Sequence, residues 1–407
     1  MKLDSILQES NAFIFMERYV DEAVKNYSAF AGESEAAPDY QPGSAQSSFQ
    51  LVTIHAPRSH VSIFEANPTT SLRDHYVDAK EVLFAVHPET WASPGVEHIE
   101  ELQALPRGKP IEVAPTASTR TVLTVGTSAQ AVPAHFLKLH YPRRISRFNR
   151  RLRRKNIRKS VESSRDMEHI RLDRFAYLPE VLGFTYGHDR DDWGFLIRET
   201  TPRPSRKERF LIPYFALYAK DMRDPASPPL LVQLIERLGV DPESFVLEEI
   251  MIPVVDCWTK VVRERGILLE SHAQNLLLEI DRDFRPHRTV HRDFDVWIDR
   301  EVRKRAGLEA IGADIEVHES FPRQYRYSLV YDHYLGRELF SYLLDILVRF
   351  YAVKERQVRG RISDAFHRSF PDARIFFPSE TTYYYSNAIL ARNKFRLIDM
   401  QQAPEWR

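Results

Sequence analysis

The segment Glu270-Ser271-His272-Ala273-Gln274-Asn275 sets an acid, an imidazole and two amides between two apolar runs, Gly266-Ile267-Leu268-Leu269 and Leu276-Leu277-Leu278. A buried polar group left without a partner costs about 1–3 kcal/mol. The cluster must therefore pair internally or meet a polar ligand. Taken as a strand, its alternation puts Glu270, His272 and Gln274 on one face. Such a face suits a magnesium ion, a phosphate and a sugar or substrate group. Magnesium takes one or two carboxylates together with ligand phosphates, which makes Glu270 its natural contact. A hydrogen-bonded structural network is the alternative.

Further candidates lie on either side. Ser118-Thr119-Arg120-Thr121 gathers hydroxyls around a guanidinium, which binds phosphate through two parallel hydrogen bonds. An ordinary Thr-rich strand edge would look the same. Lys138 sits on an alternating stretch, and Arg150 follows twelve residues later. Positions 143–159 hold ten Lys or Arg, either a solvated basic helix or a phosphate-binding stripe. Phe148 is the only aromatic there, which weakens the nucleic-acid reading. His291-Arg292-Asp293-Phe294-Asp295 resembles a kinase catalytic loop, but position 298 is Ile where that loop needs Asn. His287, His291 and Asp293 lack the spacing of a specific metal site. No Gly-x-x-x-x-Gly-Lys-Ser/Thr loop occurs, which excludes a P-loop.

The elements that must position these residues change character along the chain. Apolar positions at helical spacing predict an amphipathic helix over 5–30, followed by a Gly/Ser/Ala/Pro-rich linker over 32–48. Strands are expected at 49–56, 61–65 and 81–87. A hairpin is expected from Thr119–Val125 through the turn Gly126-Thr127-Ser128 to His135–Tyr141. A basic helix over 145–164, a strand at 193–199 and a short helix at 209–221 complete the first half. Beyond the proline-rich stretch 223–229 the pattern is mainly helical (229–239, 242–265, 335–354, 358–369), interrupted by strands at 274–280 and 288–298. The fold class is α+β.

Composition narrows the function classes. The 407 residues suffice for two or three packed units. With 43% hydrophobic and 28% charged residues, the chain has a soluble globular composition. A net charge of zero gives no general attraction to nucleic acid or anionic membrane. No run of about 18 apolar residues predicts a membrane span. Cys257 is the only cysteine, so neither a disulfide framework nor a Cys-based metal cluster is available. The opening Met1-Lys2-Leu3-Asp4-Ser5 lacks an apolar targeting core, and the cytoplasm is the expected location.

In order, these pieces resemble the siderophore synthetases that work independently of nonribosomal peptide synthetases, the aerobactin synthetase family. The matching elements are Ser118-Thr119-Arg120-Thr121, Lys138-Leu139, Ser146-Arg147-Phe148-Asn149-Arg150-Arg151-Leu152, Phe195–Glu199, the ungapped Gly266–Asn275, and Arg292-Asp293-Phe294. The likeness covers residues 110–300 well. It departs at the front, where the family's His-Pro-x-His-Pro-x-x-Lys element is reduced to His87-Pro88.

The resemblance implies a synthetase of several subdomains. A reduced thumb-like region would span 1–109, and an ATP-binding fingers-like region with a mixed or antiparallel sheet 110–225. A mainly helical palm-like region would span 226–407. It implies Ser118, Arg120, Thr121, Lys138, Arg150, His272, Gln274 and Asn275 at ATP, and Glu270 and Asp293 at Mg2+. Ser146, Arg150 and His272 would face the substrate carboxylate, with Lys138, Arg150 and His272 catalytic. The implied activity is AMP-forming ligation of a carboxylic acid, citrate-like or another polycarboxylate, to an amine or alcohol. Family members are often homodimers, and no nucleic-acid or membrane partner is implied. Two other readings stand beside this one: a non-catalytic relative that binds a ligand or partner, and an RNA-binding protein using the 143–159 segment.

Overall fold

The computed structural model describes residues 1–20, 34–125, 132–145, 148–312, 322–385 and 397–407. The chain forms two compact units. One takes Glu33–His169 and Leu178–Arg203; the other takes Met1–Gly32, Ile170–Tyr177 and Pro204–Arg407.

The first unit is built on one sheet. Its strands are β1 (Phe49–Pro57), β2 (Val61–Glu65), β3 (Glu81–Val86), β4 (Ile111–Pro115), β5 (Thr121–Thr124), β6 (His135–Leu139), β7 (Glu180–Tyr186) and β8 (Gly194–Glu199). Their order is β2-β7-β8-β6-β5-β4-β1-β3, with every pairing antiparallel. Four strands separate β8 from β3 in that order, yet the rings of Phe195 and Phe84 are 5.3 Å apart. The sheet therefore curls around its core. Side chains alternate along each strand, so Leu137, Leu139, Val122, Phe184 and Phe195 fill the inside of the curl. The strands expected at 49–56, 61–65, 81–87 and 193–199 and both arms of the hairpin are present. The hairpin's turn lies outside the described residues.

On the opposite face of this sheet lies the helix Arg154–Asp166, whose Ile157 and Val161 pack with Leu152, Leu196 and Ala66. It approaches β7 closely at Gly183. A Cβ there would lie 2.3 Å from Ile157 Cγ2. Gly183→Ala is therefore expected to lower stability by about 1–3 kcal/mol through overpacking, read as an earlier midpoint in urea. The helix starts later than the sequence suggests. Residues Arg144–Ile145 and Phe148–Asn149 pair as a small hairpin, and the chain stays extended at Arg153. The expected basic helix thus loses residues 145–153.

The second unit holds a four-stranded sheet in the order Phe210–Pro213, Leu276–Ile280, Pro286–His291, Phe175–Tyr177. The last pair is parallel and the others antiparallel. The segment expected as a helix over 209–221 is thus a strand that becomes the helix Tyr214–Tyr218 after Pro213. The expected opening helix appears as Ser5–Gln8 and Ala12–Tyr19, with 21–33 outside the described residues. The helical majority follows as Leu230–Leu238, Ile252–Arg265, Ser341–Tyr351 and Glu355–Ser369, with π-helical turns at Val246–Met251 and Leu329–Phe340. The helix Ile252–Arg265 stops at Gly266, which takes φ +62°. A Cβ there would lie 2.5 Å from the Asp299 carbonyl, so this left-handed cap favours glycine. The α+β class with an antiparallel sheet is the architecture observed. No helix among the described residues is long and apolar enough to cross a membrane.

Candidate active site

In the sheet unit the sequence candidates converge on one turn and the strand beside it. Thr119 N–H donates to the Thr116 carbonyl at 2.9 Å, and Thr116 Oγ1 donates to the Thr121 carbonyl at 2.6 Å. Ser118 Oγ accepts the Thr121 N–H at 3.1 Å. These bonds hold Thr119, a β-branched residue, at φ +63°. A left-handed backbone is a true outlier for such a side chain, and strain of this kind gathers at functional sites. The turn leads into β5, where Thr121 stands directly opposite Lys138 of β6. Lys138 also pairs with Leu196 of β8, so its side chain shares the face that carries the helix Arg154–Asp166. It is only 2% exposed.

Arg120 reaches across to Arg150. Its Nη1 donates to the Arg150 carbonyl at 3.1 Å, and the same carbonyl accepts the Tyr141 N–H at 3.1 Å. Arg150 Nε donates to the Ile145 carbonyl at 3.2 Å. Arg150 therefore lies between the small hairpin and the helix and not within a helix. The structure thus brings Ser118, Arg120, Thr121, Lys138 and Arg150 together in this unit. Ser146 lies outside the described residues. Other cations of the basic segment form ion pairs: Arg143 with Glu89 (2.8 Å), Arg144 with Glu35 (3.4 Å) and Arg158 with Glu162 (2.7 Å).

Two imidazoles are buried in the same unit. His140, just after β6, accepts the Leu152 N–H on Nδ1 at 3.1 Å and packs on Trp193 with ring centres 4.7 Å apart. Burial pushes its pKa down to about 3, with the charges of Arg151, Arg153 and Arg120 acting the same way. His87 is likewise held at about 3 by burial and then by Arg143. Its Nδ1 accepts the Glu89 N–H at 3.1 Å and caps the helix Pro88–Trp91. The His87-Pro88 pair thus has a structural role, with proline at the first helical position where no N–H is needed.

In the helical unit the acid–imidazole–amide segment is a turn and not a strand. Asn275 N–H donates to the His272 carbonyl at 2.9 Å, and Gln274 N–H donates to His272 Nδ1 at 3.3 Å. Asn275 Nδ2 donates to the Glu270 carbonyl at 2.9 Å, and Trp258 Nε1 anchors the Leu269 carbonyl at 3.0 Å. Side chains that bond their own backbone compete with strand pairing, so the strand begins only at Leu276. The alternation expected for Glu270, His272 and Gln274 does not apply. The turn itself gathers them.

Asp293 belongs to the same neighbourhood. Arg292 N–H donates to the Asn275 carbonyl at 2.9 Å, and Arg292 Nε to the Gln274 carbonyl at 2.8 Å. The next residue, Asp293, takes φ +75°. Glu270, His272, Gln274, Asn275 and Asp293 are thereby assembled on two adjoining turns. His287 is engaged elsewhere, 2.8 Å from Asp281.

The sequence reading missed Glu17 and Tyr334. Glu17 Oε1 lies 2.7 Å from Arg292 Nη2, and the Tyr334 ring centre lies 5.6 Å from that of His272. Glu17 carried one signal, an acid directly after the apolar run Ala12–Met16. Tyr334 carried none, because it sits in π-helical geometry.

Comparison with known proteins follows these lines. Residues 32–219 match the IucA / IucC family. A search of curated sequences finds no match. Among solved structures, the ATP-bound aerobactin synthetase IucA from a hypervirulent pathotype of Klebsiella pneumoniae superposes with TM-score 0.68 at 14% identity, covering 99% of this chain and 82% of that one. The petrobactin biosynthesis protein AsbB from Bacillus anthracis str. Sterne gives TM-score 0.62 at 16% identity, covering 88% and 68%. Aerobactin synthetase IucC from the same Klebsiella pathotype gives 0.60 at 17%, covering 85% and 66%. With an IucA / IucC stretch over residues 32–219 and the fold of the aerobactin and petrobactin synthetases, this chain bears out its resemblance to the siderophore synthetases that work independently of nonribosomal peptide synthetases.

Proposed function

We propose that the protein is an ATP-dependent, AMP-forming ligase that adenylates a carboxylic acid and joins it to an amine or alcohol in siderophore or related metallophore biosynthesis. The observation that carries this reading is the grouping of Ser118, Arg120, Thr121, Lys138 and Arg150 around one strained turn, within the stretch that matches the family.

The chemistry brings a carboxylate oxygen to the α-phosphorus of ATP as the bond to pyrophosphate breaks. Both reactants are anions. Lys138 and Arg150 offset that repulsion and the charge of the departing pyrophosphate, the kind of fixed electrostatic support that dominates such catalysis. Arg120, which holds the Arg150 carbonyl, keeps that segment in place. Ser118 and Thr121 offer hydroxyls at the turn. Gln274 and Asn275 contact the nucleotide. Glu270 and Asp293 are hard oxygen donors of the kind magnesium takes, on two turns tied by the Arg292–Asn275 bond. They would hold Mg2+, which supplies positive charge to the phosphates when bound. In the second half-reaction the amine or alcohol attacks the acyl carbon, AMP leaves and the nucleophile gives up its proton. Holding the reactants in register contributes about 7–11 kcal/mol.

Carboxylate-dependent exchange of labelled pyrophosphate into ATP tests this. Exchange is expected with at least one acid in a panel of di- and tricarboxylates, together with Mg2+-dependent ATP binding. No exchange and no ATP binding across that panel would overturn the reading.

A further inference from the structure

The short helix Ala12–Tyr19 does more than open the chain. Its Glu17 is 1% exposed, and its Oε1 lies 2.7 Å from Nη2 of Arg292, itself 5% exposed. Through Nε and its backbone N–H, Arg292 also holds the carbonyls of Gln274 and Asn275, at 2.8 and 2.9 Å. Through its guanidinium and its backbone, Arg292 therefore ties the opening helix to the turn of residues 270–275 and to the turn at Asp293 that it precedes. The helix is fixed independently. Met222 N–H donates to the Tyr19 carbonyl at 2.8 Å, and the Arg223 guanidinium lies 3.8 Å from the centre of the Tyr19 ring. Neither Glu17 nor Arg292 falls within residues 32–219, the stretch that matches the family.

We propose that Glu17 is a positioning residue for nucleotide and magnesium binding, acting through Arg292 on Gln274, Asn275 and Asp293. This rests on the ligase reading above. Loss of the Glu17 carboxylate removes a charge that fixes the Arg292 guanidinium, and so loosens the hold of its Nε on the Gln274 carbonyl. The turns it aligns then lose their shared register. Residues that orient metal ligands from behind typically contribute 10- to 100-fold in affinity.

Calorimetry with Mg·ATP, run well below the unfolding midpoint of each variant, tests the assignment. Glu17→Ala is expected to weaken binding by about 10- to 100-fold and to lower the midpoint. Glu17→Gln keeps a hydrogen-bond acceptor for Arg292 and is expected to recover most of the affinity. The double variant E17M/R292M removes both charges, so its midpoint is expected to return while its affinity stays low. Recovery of affinity together with stability in that double variant would show a merely structural pair and overturn the proposal. So would an E17A protein that binds as tightly as the unmodified one. Failure of the unmodified protein to bind Mg·ATP at all would instead remove the ligase reading, and this inference with it.

Discussion

Replacing Lys138 by methionine is expected to lower carboxylate-dependent pyrophosphate exchange by about 10²–10³-fold, the usual loss when one fixed electrostatic partner of the transition state is removed. Methionine keeps the length and apolar stem of lysine in a site flanked by β5 and β8, so the sheet pairing survives. Lys138→Arg retains the charge in a larger, planar group and is expected to fall between the two. Single-turnover rates at saturating ATP separate this from weakened binding. A Lys138→Met protein with intact circular dichroism and unchanged exchange would show that the buried cation serves only the sheet.

The second large effect is acid lability of the sheet unit. His87 and His140 are held near pKa 3 and His135 near 4, burial being the main cause in each. Unfolded, each would titrate near 6.5. The unfolded chain therefore binds more protons between those values, so stability is complete above about pH 6.5 and declines as pH falls toward 4 and then 3. Each neutral imidazole contributes on the order of 2 kcal/mol by pH 5. A fall of about 6 kcal/mol in unfolding free energy between pH 7 and 5, from urea titrations, is the expected result. His140→Gln should remove about a third of that slope. A flat profile over this range would mean that the imidazoles take up protons without leaving the folded state.

The sequence showed element type best where one physical pattern ruled. β-Branched and aromatic enrichment gave β1, β2 and β3, alternation gave both arms of the β5–β6 hairpin, and the helical pattern gave Leu230–Leu238 and Glu355–Ser369. It misled where side chains bond the backbone or two patterns compete. The 270–275 segment looks like a strand by hydrophobic flanks, yet His272 and Asn275 bond within the turn. The basic run 145–164 looks helical throughout, yet its start pairs as a hairpin. Ser118, Arg120 and Thr121 were legible as one local run, and Lys138 and Arg150 joined them through the order and spacing of the family resemblance. The long-range hold of Glu17 on Arg292 was not, since no spacing rule links residues so far apart. The π-helical turn carrying Tyr334 likewise follows no 3.6-residue pattern.

The chain's interleaved course has a consequence for biosynthesis. The opening residues belong with partners made much later: the Met1 amine pairs with Asp221, 220 positions away, and Glu17 waits for Arg292. On the ribosome, the helix Ala12–Tyr19 emerges long before anything exists to cover it, while the curled sheet can close once Glu199 is clear of the exit tunnel. Long-range closure of this kind folds slowly. Recombinant yield should therefore respond more to slowed translation and chaperone supply than to changes on the finished surface.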